Sequence, residues 1–453
     1  MNSGSRSGLA TREESAASAV PRNEFLRRRK QLMRMTGRES IVIVAAAPER
    51  IRSNDAHYPY RQDSDFHYLT GFPEPEAVVA LIPGRAHGEH ILFCRERDPE
   101  RERWDGPRAG AEGAVEQYGF DDAFPIGDID DILPGMIEGR ERVYYHFGRD
   151  TDFDLKLMGW VNRVRSLVRA GAKPPHEFVA LGHLLHDMRL YKSRAELRVM
   201  RRAARITADA HVRAMRAVRP GMNEGAIEAE VLHEFRTQAA VAAYEPIVGG
   251  GANACVLHYR GNSAPLRDGD LLLLDAGAEY QCYAADVTRT FPVNGRYSPE
   301  QRAIYDVVLE AQLAAIDAAR PGNSWIAPHD AALRAITRGL IRLGLVKGTV
   351  DAAIRDEAYK PFFMHKTGHW IGLDVHDVGD YRIDGEFREL EPGMVMTVEP
   401  GLYIAADEKR VPAKWRGIGV RIEDDVVVTR GEPDVLTSAV PKDPDEIERL
   451  MSR

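Results

Sequence analysis

LLLLDAGAEYQCYAADVTRTF, residues 271–291, decides how the second half of this chain folds. Apolar runs flank a polar centre, which predicts a strand, a turn and a second strand. Asp275 directly follows four leucines, and Asp286 lies eleven residues further on. With the turn placed at Tyr280 and Gln281, the two aspartates face each other across the ladder, with Cβ atoms about 5 Å apart. Like charges in that position are destabilising, so the hairpin predicts a cation between them.

Two further acids share this apolar setting. Glu399 closes the strand-like run GMVMTVEPGLYI (393–404), and Glu423 lies in the β-branched run GVRIEDDVVVT (419–429). A buried carboxylate without a partner is very costly, and Arg421 alone cannot neutralise four acids. Divalent cations can, so these segments together predict a metal site.

A histidine-rich segment, HKTGHWIGLDVHDVG (365–379), supplies nitrogen donors. His365 and His369 are spaced as in the helical zinc motif H-E-x-x-H, but Lys366 follows His365 where that motif has its catalytic Glu. Gly368 and Gly372 also argue against a helix, because glycine costs about 1 kcal/mol in a helix interior. This segment is therefore not a helical zinc site.

The same segment is expected to provide one ligand. His369 would be the lone nitrogen donor, with His365 and His376 near the metals without binding them. His258, in CVLHYRG (255–261), is a further candidate. Four carboxylates and one histidine form a mostly oxygen donor set, which suits Mn²⁺ better than a sulfur-seeking ion, while Zn²⁺ and Co²⁺ remain alternatives.

The bulk composition bounds the class of protein. The chain has 453 residues, 44% hydrophobic and 29% charged, which is typical of a globular protein of two or three domains. A net charge of -8 with interspersed signs gives no reason to expect nucleic acid or an anionic membrane as a partner. Three scattered cysteines without a CxxC, no apolar run of about 18 residues and no secretory h-region predict a cytoplasmic location.

The domain organisation follows from composition and pattern. Residues 1–21 are rich in Ser, Ala and Gly and are predicted to be a disordered tail. Residues 22–180 alternate strand-like and helical stretches, which predicts an N-terminal α/β domain, and residues 181–453 form the second domain.

Two helix starts organise the second domain. Ser193 with Glu196 forms a capping box, and Ser298 with Gln301 repeats the same logic with a proline at the first turn. Each helix is followed by Arg-Pro-Gly, in RPGMNEGAIEAEVLHEF (219–235) and RPGNSWIAPHDAALRAI (320–336). The similarity of these segments, about a hundred residues apart, indicates an internal duplication, with a common Pro-Gly helix stop as the alternative.

Five motifs in a fixed order carry a family resemblance. LLDAG, AADVTRTF, FFMHKTGHWIGLDVHDVG, MTVEPGLY and GVRIEDDVVVT resemble the metal-binding motifs of the pita-bread peptidases: methionine aminopeptidase, prolidase and aminopeptidase P. The resemblance covers about residues 193 to 440. Further upstream, YPYRQDSDFHYLTGFPEPEAV (58–78) and HDMRLYKS (186–193) resemble bacterial aminopeptidase P, whose N-terminal domain methionine aminopeptidases lack. One departure is His67, where an aromatic such as tryptophan is expected.

The resemblance implies a fold and a metal arrangement. The fold is an N-terminal creatinase-like α/β domain followed by a pita-bread catalytic domain of two pseudo-symmetric αβ units. Asp275 would bind one of two divalent ions, and Asp286 and Glu423 would bridge both. His369 and Glu399 would complete the other.

The resemblance also implies a reaction. Glu399 would accept and deliver a proton, His258 and His376 would hydrogen-bond the substrate, and His365 would shape the site. The resemblance implies hydrolysis of the bond before a proline at the second position of a peptide.

The motifs say less about which residues contact the substrate and about the oligomeric state. Tyr403, Arg421 and Trp104 are expected to contact the peptide, and a homodimer or homotetramer is expected. An Xaa-Pro dipeptidase (prolidase) shares all five ligands and is the alternative. A non-enzymatic pita-bread binding module is more remote, because all five ligand positions are intact.

Overall fold

The computed structural model of the chain describes residues 19–452. It divides into an N-terminal unit, Val20–Arg189, and a C-terminal unit that begins at Leu190. Residues 1–18 of the predicted tail lie outside the described residues, and the predicted domain boundary after residue 180 stays a prediction. Within residues 19–452, no helix combines the length and the apolar character that crossing a membrane requires.

The N-terminal unit is built on a six-stranded mixed sheet in the order β6-β5-β4-β1-β7-β8. The strands are β1 (Ser40–Ala45), β2 (Ile51–Ser53), β3 (Ala56–His57), β4 (Val78–Leu81), β5 (His90–Cys94), β6 (Asp122–Pro125), β7 (Arg142–Tyr145) and β8 (Glu177–Ala180). The helices are α1 (Arg22–Thr36), α2 (Ser64–Thr70), α3 (Glu102–Asp105), α4 (Gly110–Tyr118), α5 (Ile129–Ile137), α6 (Thr151–Ser166) and α7 (Gly182–Leu190). Apolar side chains of the strands, such as Ile43 and Phe93, share one buried cluster with side chains of helices α5 and α6, such as Leu133 and Trp160.

The C-terminal unit combines long helices with several small antiparallel sheets. Its helices are α8 (Arg194–Ala217), α9 (Glu224–Thr237), α10 (Pro299–Ala318), α11 (Ala327–Arg342), α12 (Val350–Arg355) and α13 (Pro444–Met451). Its strands are β9 (Val241–Ala242), β10 (Ile247–Gly250), β11 (Leu271–Asp275), β12 (Ala278–Tyr280), β13 (Tyr283–Ala284), β14 (Thr288–Pro292), β15 (Arg382–Ile383), β16 (Glu386–Phe387), β17 (Val395–Val398), β18 (Gly401–Ile404), β19 (Ile418–Arg421), β20 (Asp424–Val427) and β21 (Asp434–Val435). The three-stranded sheets run β10-β11-β14, β13-β12-β9 and β17-β20-β21, and β18 pairs with β19.

Both predicted capping boxes are confirmed. The Ser193 hydroxyl accepts the Glu196 N–H at 3.3 Å, and the Glu196 carboxylate accepts the Ser193 N–H at 2.8 Å. Ser298 and Gln301 make the same reciprocal pair at 3.2 and 2.9 Å. Each pair satisfies two backbone donors that the helix itself cannot, and so fixes where α8 and α10 begin.

The predicted duplication appears in the backbone hydrogen bonds. Gly221, after α8, donates its N–H to the carbonyl of Leu266 at 2.8 Å, and Gly322, after α10, donates to Leu390 at 2.9 Å. Both glycines have positive φ, +92° and +82°, a conformation that glycine adopts without a steric penalty. In each copy a long helix thus turns through Pro-Gly into a second helix, α9 or α11.

The predicted hairpin is present, but its predicted register is wrong: the turn lies one residue further along the chain, which shifts the partner of Asp275 by two residues. The turn is at Gln281 and Cys282, both with positive φ, rather than at Tyr280 and Gln281. Asp275 consequently lies opposite Thr288 on β14, and Asp286 lies between β13 and β14, off the ladder. The two aspartates are therefore brought together by the surrounding fold, not by direct cross-strand pairing.

Candidate metal centre and active site

A cavity of about 700 Å³ in the C-terminal unit contains the predicted chemistry. Nine of the eleven predicted site residues line it: His258, Asp275, Asp286, His365, His369, His376, Glu399, Arg421 and Glu423. Tyr403 is buried beside it and contacts His365. Trp104 lies on α3 of the N-terminal unit with 87% of its surface exposed, and its substrate contact stays a prediction.

Tyr244 joins two of the predicted ligands. Its phenolic oxygen lies 2.5 Å from a carboxylate oxygen of Asp275 and is also within hydrogen-bond distance of Asp286. One phenol carries one proton and can donate to only one of the two carboxylates at a time. The arrangement therefore leaves negative charge that a bound cation would neutralise.

Three predicted ligands converge more tightly. Donor atoms of Asp286, His369 and Glu423 all lie within 4.8 Å of one another. His369 Nε2 is 3.5 Å from Asp286 and 3.8 Å from Glu399. Its Nδ1 donates to the carbonyl of Trp370 at 3.0 Å, so Nε2 faces the carboxylates and is the atom that would bind a metal ion.

The segment that carries His369 runs beside β17 and is fixed there by backbone contacts. The His369 N–H donates to the Thr397 hydroxyl at 3.1 Å, and the Glu399 N–H donates to the Thr367 carbonyl at 2.9 Å. A Cβ on Gly368 would lie 2.1 Å from the Thr397 carbonyl oxygen, so only glycine allows this approach. The segment contains no helix, as predicted from its glycines.

The electrostatics of the cavity show an excess of negative charge. Burial, followed by the charges of Asp286, Glu399 and Asp275, raises the pKa of Glu423 well above its ordinary value. Burial also raises the pKa of Glu399 to about 7, against the opposing charges of His369 and Arg421. Burial and the charge of Asp286 raise the pKa of Asp275 despite Arg421.

The negative charges of the cavity also change the pKa of His369. Burial lowers its pKa, but the hydrogen bond to Asp286 and the charges of Asp286 and Glu399 outweigh burial and raise it to about 9. Three buried carboxylates and the partly buried Glu399, with Arg421 and His369 as their cationic neighbours, form a donor set that fits divalent metal ions. Asp275, Asp286, His369, Glu399 and Glu423 are the residues that would hold them.

Arg421 connects Asp275, a predicted ligand, to Tyr403, which contacts His365. Its guanidinium donates to Asp275 at 2.6 Å, to the Thr288 hydroxyl at 3.0 Å and to the Tyr403 hydroxyl at 3.2 Å. Thr288 in turn donates to Glu423 at 2.6 Å. Arg421 thus orients two acids, and its predicted contact with substrate stays a prediction.

The three remaining histidines surround the acids. His365 Nδ1 donates to the Lys366 carbonyl at 2.7 Å, and its Nε2 lies 3.0 Å from the Tyr403 hydroxyl. Burial, with the charges of Arg421 and His258, lowers the pKa of His365 to about 4, so His365 is neutral near pH 7. The His376 ring packs edge-on against His369 with centroids 4.3 Å apart. His258 is exposed and lies close enough for its charge to lower the pKa of His376.

Four residues of the site were not predicted from the sequence: Tyr244, Thr288, Thr397 and Asp425. Asp425 accepts the Asp286 N–H at 3.1 Å. Thr288, Thr397 and Asp425 lie within the quoted motifs, each two residues from a predicted ligand, and strand alternation could have pointed to them. No local pattern marks Tyr244, in VAAYEP (241–246).

The chain belongs to metallopeptidase family M24. The model of that family, described as "Metallopeptidase family M24", matches residues 198–430, and the model of "Aminopeptidase P, N-terminal domain" matches residues 25–145. The predicted fold class, an N-terminal α/β domain followed by a pita-bread catalytic domain, is thereby confirmed, and so is the assignment as a metal-dependent hydrolase.

Several relatives are similar over almost the whole chain. The Xaa-Pro aminopeptidase of Escherichia coli (strain K12) is 47% identical over 436 residues, covering 96% of this chain and 98% of that protein. The solved structure of Pseudomonas aeruginosa aminopeptidase PepP is 64% identical, has a TM-score of 0.95 and covers 96% of this chain and 98% of that one. The zinc-substituted Escherichia coli aminopeptidase P in complex with product has a TM-score of 0.93 at 47% identity, with coverage of 96% and 98%.

Proposed function

We propose that this chain is an Xaa-Pro aminopeptidase that releases the first residue of peptides with proline at the second position. One observation carries the proposal: the donor atoms of Asp286, His369 and Glu423 converge within 4.8 Å at a cavity of about 700 Å³. The match of residues 25–145 to the aminopeptidase P N-terminal domain supports this activity over that of a dipeptidase, and so do the names of the relatives above.

We propose five ligands for two divalent ions. Asp275 would bind one, Asp286 and Glu423 would bridge both, and His369 and Glu399 would complete the other. Their mostly oxygen donor set favours Mn²⁺, with Zn²⁺ and Co²⁺ as alternatives. Two ions in such a site would supply a nucleophile stronger than bulk water at neutral pH and would polarise the scissile carbonyl.

The protein's own groups would move the proton and hold the substrate. As the attacking water forms its bond to the carbonyl carbon, Glu399 accepts a proton from it. The C–N bond then breaks, and the proton passes from Glu399 to the proline nitrogen. His258 and His376 would donate hydrogen bonds to the carbonyl oxygen as it gains negative charge.

The residue after the scissile bond sets a special requirement. The proline nitrogen of a substrate has no hydrogen to donate, and the ring fixes φ near −65°. Recognition therefore depends on the shape of the ring rather than on a backbone hydrogen bond. Tyr403, Arg421 and Trp104 are the proposed substrate contacts.

Two further properties belong to the same proposal. The chain would form a homodimer or a homotetramer, as the family resemblance implies. It would act in the cytoplasm, which the widely spaced Cys94, Cys255 and Cys282 support.

A peptidase assay tests the proposal directly. Metal-stripped protein is assayed on Arg-Pro-Pro and on Ala-Pro, with and without Mn²⁺. Manganese-dependent release of arginine from the tripeptide is the expected result. Cleavage of the dipeptide alone would reassign the chain as a dipeptidase, and no hydrolysis with any divalent metal would overturn the proposed activity.

A further inference from the structure

His258 depends on its backbone for its position. The side chain is exposed at the cavity, and within residues 19–452 its imidazole has no hydrogen-bond partner. Its segment, residues 251–264, connects β10 to the approach to β11 and contains only one 3-10 turn, Gly251–Cys255. Whatever holds this segment therefore determines where the imidazole lies.

One buried carboxylate holds both ends of that segment. Glu224, the first residue of α9, is completely buried. One oxygen accepts the Gly250 N–H at 2.8 Å and the Asn253 side-chain amide at 2.9 Å. The other accepts the Tyr259 hydroxyl at 2.9 Å and the Ala264 N–H at 2.8 Å.

These four donors bracket His258 in sequence. Two precede it, one adjoins it and one follows it, so the carboxylate closes residues 250–264 into a loop around a single acceptor group. A carboxylate is suited to this position because it offers only acceptors, whereas an amide would turn an N–H₂ group toward one of the two donor pairs. The backbone N–H of Glu224 adds a fifth link, to the Ala264 carbonyl at 3.0 Å.

We propose that Glu224 is a positioning residue that acts through His258, holding the imidazole where it meets the substrate carbonyl; the kinetic part of this inference rests on the proposed function. Glu224 itself touches neither substrate nor metal ligand. Its removal should therefore lower kcat without weakening metal binding, and only while His258 is present.

The structural part is tested by hydrogen–deuterium exchange on the full chain carrying Glu224→Gln. Exchange of residues 251–264 should rise at least about tenfold, because an amide cannot accept from all four donors. Glu196→Gln is the matched control, since Glu196 is also buried in this unit but pairs with Ser193 and Tyr283 instead. Unchanged exchange of residues 251–264 in Glu224→Gln would overturn the inference, whatever the activity.

The kinetic part is tested by a double-mutant cycle with His258→Ala. Glu224→Gln should lower kcat for Arg-Pro-Pro about 10- to 100-fold in the wild-type background, with KM and Mn²⁺ affinity within about twofold. In the His258→Ala background the same change should lower kcat less than about twofold. An equal loss in both backgrounds would show that Glu224 does not act through His258.

A less disruptive variant keeps the inference testable if Glu224→Gln misfolds. Tyr259→Phe removes one of the four hydrogen bonds and leaves the carboxylate in place, so it should show a smaller kcat loss with the same dependence on His258. A Tyr259→Phe loss that persists in the His258→Ala background would also count against the inference. If the wild-type chain hydrolyses no peptide, the proposed function fails, and the exchange experiment still decides the role of Glu224.

Discussion

Tyr244 offers one phenolic proton to two buried carboxylates, Asp275 and Asp286. We predict that Tyr244→Phe lowers Mn²⁺ affinity about 10- to 100-fold, because a hydrogen-bond partner that orients two ligands is lost. Isothermal titration calorimetry on metal-stripped protein measures this. Tyr305→Phe is the matched control, since that buried phenol donates to the Lys442 carbonyl at 2.8 Å. Equal affinities in the two variants would contradict the orienting role.

At the scale of single residues, the sequence predicts acids better than their partners. Asp275 and Glu423 stand out because a carboxylate in an apolar strand needs an explanation. Tyr244 does not, because a tyrosine near a strand is ordinary and only the folded chain brings it to the acids. The predicted set is therefore rich in ligands and poor in the groups that orient them.

His67 makes the N-terminal unit sensitive to acid. It lies on α2 edge-on to Phe25, and burial, together with Arg28, Arg61 and Arg189, lowers its pKa to about 3. The unfolded chain, with a histidine pKa near 6.5, binds the proton first, so stability is present above about pH 6.5 and falls as pH drops toward 3.

We therefore predict that His67→Phe reduces the loss of stability between pH 7 and pH 5. The difference should be roughly 1–2 kcal/mol in the free energy of unfolding. Chemical denaturation of both proteins at the two pH values measures it. Parallel losses in wild type and variant would show that the folded chain protonates His67 easily.

At the scale of elements, a buried ion pair anchors the segment that carries His376. Lys192, just before α8, donates to Asp377 at 2.9 Å, and both side chains are about 1% exposed. Asp377→Ala should cost about 3–5 kcal/mol of unfolding free energy, because Lys192 would be left charged and buried.

The matched comparison is an exposed pair of similar length. Glu357 lies 2.7 Å from Lys360, and both side chains are 56% exposed. Glu357→Ala should cost less than about 1 kcal/mol. Urea denaturation ranks the two variants, and similar costs would mean that Lys192 finds other solvation when Asp377 is removed.

Among the elements, the helix starts have a local sequence signal and the hairpin turn has none. Ser193 and Ser298 begin their helices as predicted, because a capping box is a complete local signal. The hairpin turn at Gln281 and Cys282 lacks the Asn-Gly or Gly that usually marks positive φ, so its register could not be read. Gly277 fits the observed register, since a Cβ there would lie 1.7 Å from the Ala285 carbonyl oxygen.

At the scale of the whole molecule, the order of the five motifs predicts the architecture. Each motif lies on one strand or loop of the catalytic unit and contains at least one proposed site residue. The duplicated Arg-Pro-Gly turns predict two similar halves, and the fold brings proposed ligands from both halves to one cavity: Asp275 and Asp286 from the first, and His369, Glu399 and Glu423 from the second. A site assembled from both halves couples metal binding to the stability of the entire unit. Assembly into dimers or tetramers has no such local signal and stays a prediction.

Because of this coupling, replacing a ligand should change the free energy of unfolding differently in metal-free and in metal-loaded protein. Mn²⁺ at 100 times its Kd should raise the free energy of unfolding by about 2.7 kcal/mol per site. In metal-free protein, burial and the neighbouring carboxylates raise the pKa of Glu423 and so favour its neutral form, of which glutamine is a close mimic. Glu423→Gln should therefore leave metal-free stability equal or higher while abolishing most of the manganese-dependent gain. Thermal unfolding with chelator and with Mn²⁺ measures both quantities, and Glu196→Gln, away from the cavity, should keep the full gain. A Glu423→Gln protein that retains the full manganese gain would overturn the placement of Glu423 as a ligand.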